Sequence, residues 1–146
     1  MLHDVSSGFD AQPGYEIDYV QITSNATSTA TTEAGATEII AGTTRYYDGA
    51  TTVMIECFIP ICENPSGLSF IVSLFEDGSA QGEMGRCNNN SGVANIAGHF
   101  VVRRTPSAGN HTYSIRLWGG TGTKTAYAGT GGAGGRTAAY MRITVV

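Results

Sequence analysis

With 146 residues and a formal net charge of −4, the chain has the length of one domain built around a single hydrophobic core. Only 14% of its residues are charged and 41% are hydrophobic, which excludes wholesale disorder, since a disordered chain has few apolar groups and strong self-repulsion. Its 20 glycines and many threonines exclude an all-helical fold, because Gly costs about 1 kcal/mol per helical position relative to Ala and Thr loses rotamer freedom there.

Partners are bounded in the same way. No run approaches the roughly 18 apolar residues of a membrane helix, and MLHDVSSGFD has neither the basic nor the apolar region of a signal peptide. Membrane and self-directed secretion are not expected. The pI is near 5.2 and the cations are scattered apart from Arg103 and Arg104, so no basic stripe exists to neutralise phosphates and nucleic acid is not an expected partner.

In chain order, residues 1–14 read as an N-terminal arm ending in the turn dipeptide Pro13-Gly14, and residues 15–146 as the folded domain. YEIDYVQIT (15–23) puts Tyr15, Ile17 and Tyr19 on one face and then Val20 and Ile22 on the other, a change of phase that predicts a bulged strand. Residues 24–35 are small and polar and read as a loop or edge strand. TEII (37–40) and TRYY (44–47) are short strands, with Asp48-Gly49 as a hairpin turn.

VMIECFIPIC (53–62) is apolar on nearly every residue of both faces. A strand in a two-sheet protein shows one face to the core and one to water, so a doubly apolar strand needs a second cover, which a neighbouring subunit would supply. LSFIVSLF (68–75) repeats the pattern before the turn Asp77-Gly78-Ser79. QGEMGRC (81–87) is a weaker strand, NNNSG (88–92) a polar loop, and VANIAGHFVV (93–102) a strand bent at Gly98. After the turn TPSAGN (105–110), HTYSIRLW sends Tyr113, Ile115 and Leu117 inward and Ser114 and Arg116 outward. A glycine-rich stretch (119–135) holds TKTAYA, and AAYMRITVV closes the chain with Tyr140, Arg142 and Thr144 alternating with Met141, Ile143 and Val145. Eight to ten short antiparallel strands predict an all-β sandwich, most simply a jelly roll.

Chemical motifs are few. GTGGAG (129–134) satisfies the dinucleotide spacing, but a strand follows it where a helix N-terminus would have to meet the pyrophosphate, so no cofactor is expected. His3, His99 and His111 lie far apart without metal-ligand spacing, and no metal is expected. Cys57, Cys62 and Cys87 read as small buried hydrophobes; a Cys62–Cys87 disulfide is open on sequence alone. Glu56, lodged in VMIECFI, is the one carboxylate in an apolar strand, and an ion pair with Arg142 or Arg116 outweighs catalysis. There is no GxSxG elbow and no Ser/His/Asp arrangement in the sequence, so the chain reads as non-enzymatic. Asn25, Asn89 and Asn110 open sequons that chance supplies in such a composition. Tyr46, Tyr47, Trp118 and Tyr127 offer rings that could stack on sugars.

The order DGATTVMIECFIP, SFIVSLFEDGS, a polar hairpin, HFVVRR, HTYSIRLW, a glycine-rich hairpin and AAYMRITVV resembles the jelly-roll domains of the tumour-necrosis-factor and complement globular-head type, closest to those of tailed-bacteriophage virion proteins. The resemblance covers residues 15–146. It implies two sheets of ten strands in all, three copies about a threefold axis, and a central C-terminal strand. VMIECFI and AYMRITVV would then share the inner sheet, with Met54, Phe58, Tyr140 and Arg142 at or near the axis. The function it implies is that of a homotrimeric decoration or cement protein on the exterior of a phage particle, contacting capsid or other virion proteins. The alternative is a receptor- or host-glycan-binding module using the loops around Asn89, Asn90, Trp118 and Tyr127.

Overall fold

The computed structural model describes residues 12–64, 68–88, 94–129 and 135–146. Twelve strands run in the order β1 (Glu16–Ile22), β2 (Ala26–Ser28), β3 (Thr37–Ala41), β4 (Arg45–Asp48), β5 (Val53–Asn64), β6 (Ser69–Glu76), β7 (Ser79–Asn88), β8 (Ala94–Arg104), β9 (Ala108–His111), β10 (Tyr113–Gly119), β11 (Lys124–Tyr127) and β12 (Ala139–Val145). All their pairings are antiparallel. The fold is all-β and sandwich-like. Among the described residues the count exceeds the eight to ten expected because β2, β9 and β11 span only three or four residues each, too short to carry a periodic signal; β4 falls on TRYY, which reads as a strand.

The larger sheet places β12 between β1 and β5, with β8 on the far side of β5; β11 continues alongside the C-terminal part of β5 and carries β2 at its edge. The smaller sheet runs β3-β10-β6-β7, and β4 and β9 form a separate ribbon. Period-2 alternation explains the core: Ile55, Cys57 and Ile59 of β5 and Met141, Ile143 and Val145 of β12 are buried opposite Phe70, Val72 and Leu74 of β6 and Tyr113, Ile115 and Leu117 of β10. Each large apolar side chain so buried contributes about 1.5–3 kcal/mol.

β1 is bulged, but between Glu16 and Asp18 rather than after Tyr19, so Tyr19 does not share the face of Ile17 as the sequence pattern suggested. The bulge turns Ile17 into the core and leaves Tyr19 45% exposed. At Asp77 and Gly78 the chain takes positive φ angles of 50° and 81°, as a two-residue hairpin between β6 and β7 requires. Asp48-Gly49 turns as expected but makes no hairpin: β4 pairs with β9, whereas β5 pairs with β12, β8 and β11. Asp48 instead caps the turn by accepting the Ala50 and Thr51 amides at 2.8 and 2.7 Å.

The two doubly apolar strands find different cover. Ile71 and Phe75 on the second face of β6 are buried within the chain. Trp118 donates its indole N–H to Ser73 Oγ at 2.9 Å, Ser73 donates to Glu33 Oε1 at 2.7 Å, and the Arg116 guanidinium lies 4.2 Å from the centre of the Phe75 ring. Ser114 is accordingly buried and Arg116 half-buried rather than solvent-facing. Among the described residues the second face of β5 has no such internal lid, and Met54 and Phe58 stay half-buried there.

Candidate functional site

The face that the described residues leave uncovered belongs to β1, β12, β5 and β8. Cross-strand register arranges it in rows, because residues directly opposite share a face of the pleat. Gln21, Tyr140, Phe58 and His99 form one row. Tyr19, Arg142, Glu56 and Val101 form the next, and Thr144, Met54 and Arg103 a third. Met54, Phe58, Tyr140 and Arg142, which the resemblance singled out, therefore lie on one face of adjacent strands.

Rings dominate one end of this face. Tyr140 sits between Tyr19 and Phe58 with ring centres 5.5 and 5.7 Å away. Together with Gln21, Thr137 and Ala138 these rings line an open cleft of about 540 Å³. Tyr19 and Val101 are both more than two-fifths exposed.

The centre of the face is an ion pair. Glu56 is 7% exposed. Its Oε2 accepts from Arg142 Nε at 2.8 Å and Nη2 at 2.5 Å, and its Oε1 lies 3.2 Å from His99 Nε2. Burial pushes the Glu56 carboxyl up, but the Arg142 and His99 hydrogen bonds and charges outweigh it and hold the acid below its usual range. The hydrogen bond to Glu56 in turn raises Arg142. Of the two arginines expected as partner, Arg142 serves; Arg116 is drawn to Glu38 at 3.7 Å. Glu56 is thus a neutralised charge inside an aromatic face, without a proton to give near neutral pH.

Trp118 and Tyr127 are not gathered into a second platform. Trp118, on β10 of the smaller sheet, is committed to Ser73. Tyr127, on β11 of the larger sheet, donates to Glu63 Oε2 at 3.1 Å and has the Arg136 guanidinium 4.7 Å from its ring centre. Asn89 and Asn90, like the arm up to residue 11 and most of GTGGAG, lie outside the described residues. The face also contains Tyr19, Gln21, His99 and Val101, which sequence reasoning did not select. Their signal was the β1 phase change and the alternation of His99, Val101 and Arg103 with Phe100, Val102 and Arg104.

A second polar cluster corrects the expectation that no Ser, His and Asp would meet. His111 Nδ1 lies 2.7 Å from Asp77 Oδ2 and 3.3 Å from Glu76 Oε1, while Nε2 lies 3.0 Å from Ser107 Oγ and 3.2 Å from the Ser107 carbonyl. Ligand atoms of Glu76, Asp77 and His111 fall within 4.8 Å of one another. The order Asp, His, Ser is that of a nucleophilic triad, but the proton positions oppose one. With two carboxylates at Nδ1 and a carbonyl at Nε2, the ring is best satisfied as an imidazolium donating from both nitrogens, and such a ring cannot take a proton from serine. The cluster ties the β6–β7 turn to β9, helped by the Thr112 amide, which donates to Asp77 Oδ1 at 2.9 Å.

The hydrogen bond to Asp77, opposed by burial, raises the His111 pKa, and the same bond leads the lowering of Asp77. Because the folded value lies above the unfolded one, the contribution is complete below about 6.5 and is lost as pH rises through the raised folded value. Proton NMR should give His111 a midpoint above 6.5, and Asp77→Asn should move it down. An unshifted midpoint in the wild-type chain would refute the imidazolium assignment.

No family model matches the chain, and no curated protein matches it.

Proposed function

We propose that this chain is a non-enzymatic structural subunit of a bacteriophage particle, a jelly roll that assembles as a homotrimer through the β1-β12-β5-β8 face and decorates the particle exterior. The observation that carries the reading is that this face presents Tyr19, Phe58 and Tyr140 around a Glu56 already neutralised by Arg142. In a symmetric assembly, residues near the axis meet their own copies, so an unbalanced charge there would repel itself. A face neutralised from within can be buried against copies of itself, and exposed rings supply the contact area.

Strand order supports the jelly-roll reading. The eight longer strands fall into β1-β12-β5-β8 and β3-β10-β6-β7, with the C-terminal strand central, as the resemblance to phage virion domains implies. Attachment would be mechanical: a trimer that binds the assembled shell and not its free subunits stabilises the shell by linkage.

Light scattering and native mass spectrometry at micromolar concentration should find three times the 15.2 kDa chain mass. Particles carrying the protein should show it on their outer surface by labelled-antibody imaging. A stable monomer would overturn the trimer, and a protein found only in the soluble fraction of infected cells would overturn the virion role. The ring-lined cleft beside Gln21 favours glycan binding as the second reading: a monomer that binds a glycan array, and loses that binding in Tyr140→Ala, would replace the first.

A further inference from the structure

One nitrogen, His111 Nδ1, faces two carboxylate oxygens at once: Asp77 Oδ2 at 2.7 Å and Glu76 Oε1 at 3.3 Å. Separate pieces of chain supply these atoms. Glu76 ends β6, Asp77 opens the β6–β7 turn, and His111 ends β9. Neighbours along a strand point to opposite faces, but the positive φ of 50° at Asp77 breaks that alternation, and its carboxylate stands beside that of Glu76. A single proton on Nδ1 serves two oxygens poorly, whereas a dication attracts both.

We propose that Glu76, Asp77 and His111 bind a divalent transition-metal ion of the zinc class, which replaces the His111 Nδ1 proton and clamps the β6–β7 turn to β9. One imidazole nitrogen with two carboxylate oxygens is a donor set that suits zinc. Tetrahedral zinc with bonds of about 2.0–2.2 Å separates its ligand atoms by about 3.3–3.6 Å. The Glu76 separation already has that value, and the Asp77 separation has to open by about 0.7 Å from its 2.7 Å.

Each ligand group is also held by its other polar atom, as metal ligands usually are. His111 Nε2 lies 3.2 Å from the Ser107 carbonyl, which fixes the neutral ring with its proton on Nε2 and its lone pair on Nδ1. Asp77 Oδ1 accepts the Thr112 amide at 2.9 Å. Glu76 Oε2 lies 3.6 Å from the Arg104 guanidinium of β8, itself drawn to Gln81 Oε1 at 2.6 Å, so Oε1 stays free for the ion. Tyr47 of β4 completes the surroundings, with its ring centre 6.1 Å from that of His111.

A separate observation points to a missing ligand. Tyr113 stands directly across from Glu76 in the β6–β10 register and is 1% exposed, and its hydroxyl has no hydrogen-bond partner among the described residues. Burial and the Glu76 charge keep this phenol protonated. It is a buried donor at the inner wall of the cluster, and a water on the open fourth position of the ion would give it an acceptor.

The test uses the full chain. Zinc chloride added to metal-free protein near neutral pH should bind one to one by calorimetry. Long-range proton–nitrogen NMR should show the His111 Nδ1 resonance moving on zinc addition while the ring stops titrating. His99, which meets Glu56 on the larger sheet, should titrate as before. Because ion and proton share Nδ1, affinity should fall about tenfold per pH unit below the His111 midpoint. Magnesium, which takes oxygen ligands, should not compete. Asp77→Asn and His111→Gln should each weaken binding about 100-fold or more, since losing even an outer partner of a ligand costs about 10–100-fold. The wild-type spectra decide without a variant having to fold. Zinc that binds while His111 goes on titrating, no binding at all, or full affinity in a folded Asp77→Asn chain would each overturn the proposal.

Discussion

Lys124→Met is expected to lower the stability of the fold by about 2–4 kcal/mol while leaving its strands the same length. Lys124 is fully buried on β11. Its ammonium donates to the carbonyls of Ala30, Gly120 and Gly122 at 3.0, 2.7 and 3.0 Å. The three protons of one ammonium thus gather the segment after β2 and the β10–β11 connection around a single point. Methionine keeps most of the volume and supplies no donor. Hydrogen bonds to a charged group contribute about 1.5–3 kcal/mol each, and part of that loss is returned because no ammonium must be desolvated and carbonyls near the surface regain water. The remainder is a large share of the 5–15 kcal/mol that typically separates folded from unfolded domains. Urea unfolding followed by fluorescence should show a lower midpoint at unchanged slope. A midpoint equivalent to less than about 0.5 kcal/mol of change would mean that these carbonyls are satisfied elsewhere.

Lys124 also marks where the sequence stops being informative. In TKTAY nothing distinguishes a buried lysine from a solvated one, because its acceptors are backbone atoms, one of them at Ala30, far away in the chain. What could be read was what period 2 carries. The inward faces of β10 and β12 and the presence of a bulge in β1 follow from alternation, whereas the common sheet of β5 and β12 was implied by the resemblance alone. Alternation cannot say what covers an outer face. The second apolar faces of β5 and β6 looked alike in sequence, yet Glu33 and Trp118 engage Ser73 from 40 and 45 residues away and close one of them. Among the described residues the second face of β5 is left without such cover. Of the β4–β9 ribbon only β4 was legible, as TRYY; β9 overlaps the segment 105–110 that reads as a turn, and its four residues carry too little alternation to show a strand.

For the uncovered face the decisive variants are Arg142→Gln, Glu56→Gln and the two combined. Arg142→Gln leaves a carboxylate that is 7% exposed without its guanidinium, and in the proposed trimer three such carboxylates face one another. Breaking a buried pair by removing one partner costs about 3–5 kcal/mol. Because the Arg142 side chain is 40% exposed, water returns part of this, and the expected weakening of trimer association is about 100-fold, or about 2.8 kcal/mol at 1.4 kcal/mol per tenfold. Glu56→Gln strands three guanidiniums instead, with a smaller effect because arginine reaches solvent more easily. The double variant carries no charge at either position and should assemble within about tenfold of wild type, so the cycle returns a coupling energy that packing loss alone cannot produce. The pH dependence has a fixed sign. The Glu56 carboxyl is held below its ordinary value in the folded chain, so its contribution is full above the unfolded carboxylate value of about 4.3 and is lost as pH falls through the lower folded value. The trimer should therefore persist into mild acid and dissociate below it, and the double variant should lack that acid limb. Equal dissociation constants for Arg142→Gln and the double variant would show that the ion pair does not lie in the interface, and would remove the argument that this face is covered by copies of the chain.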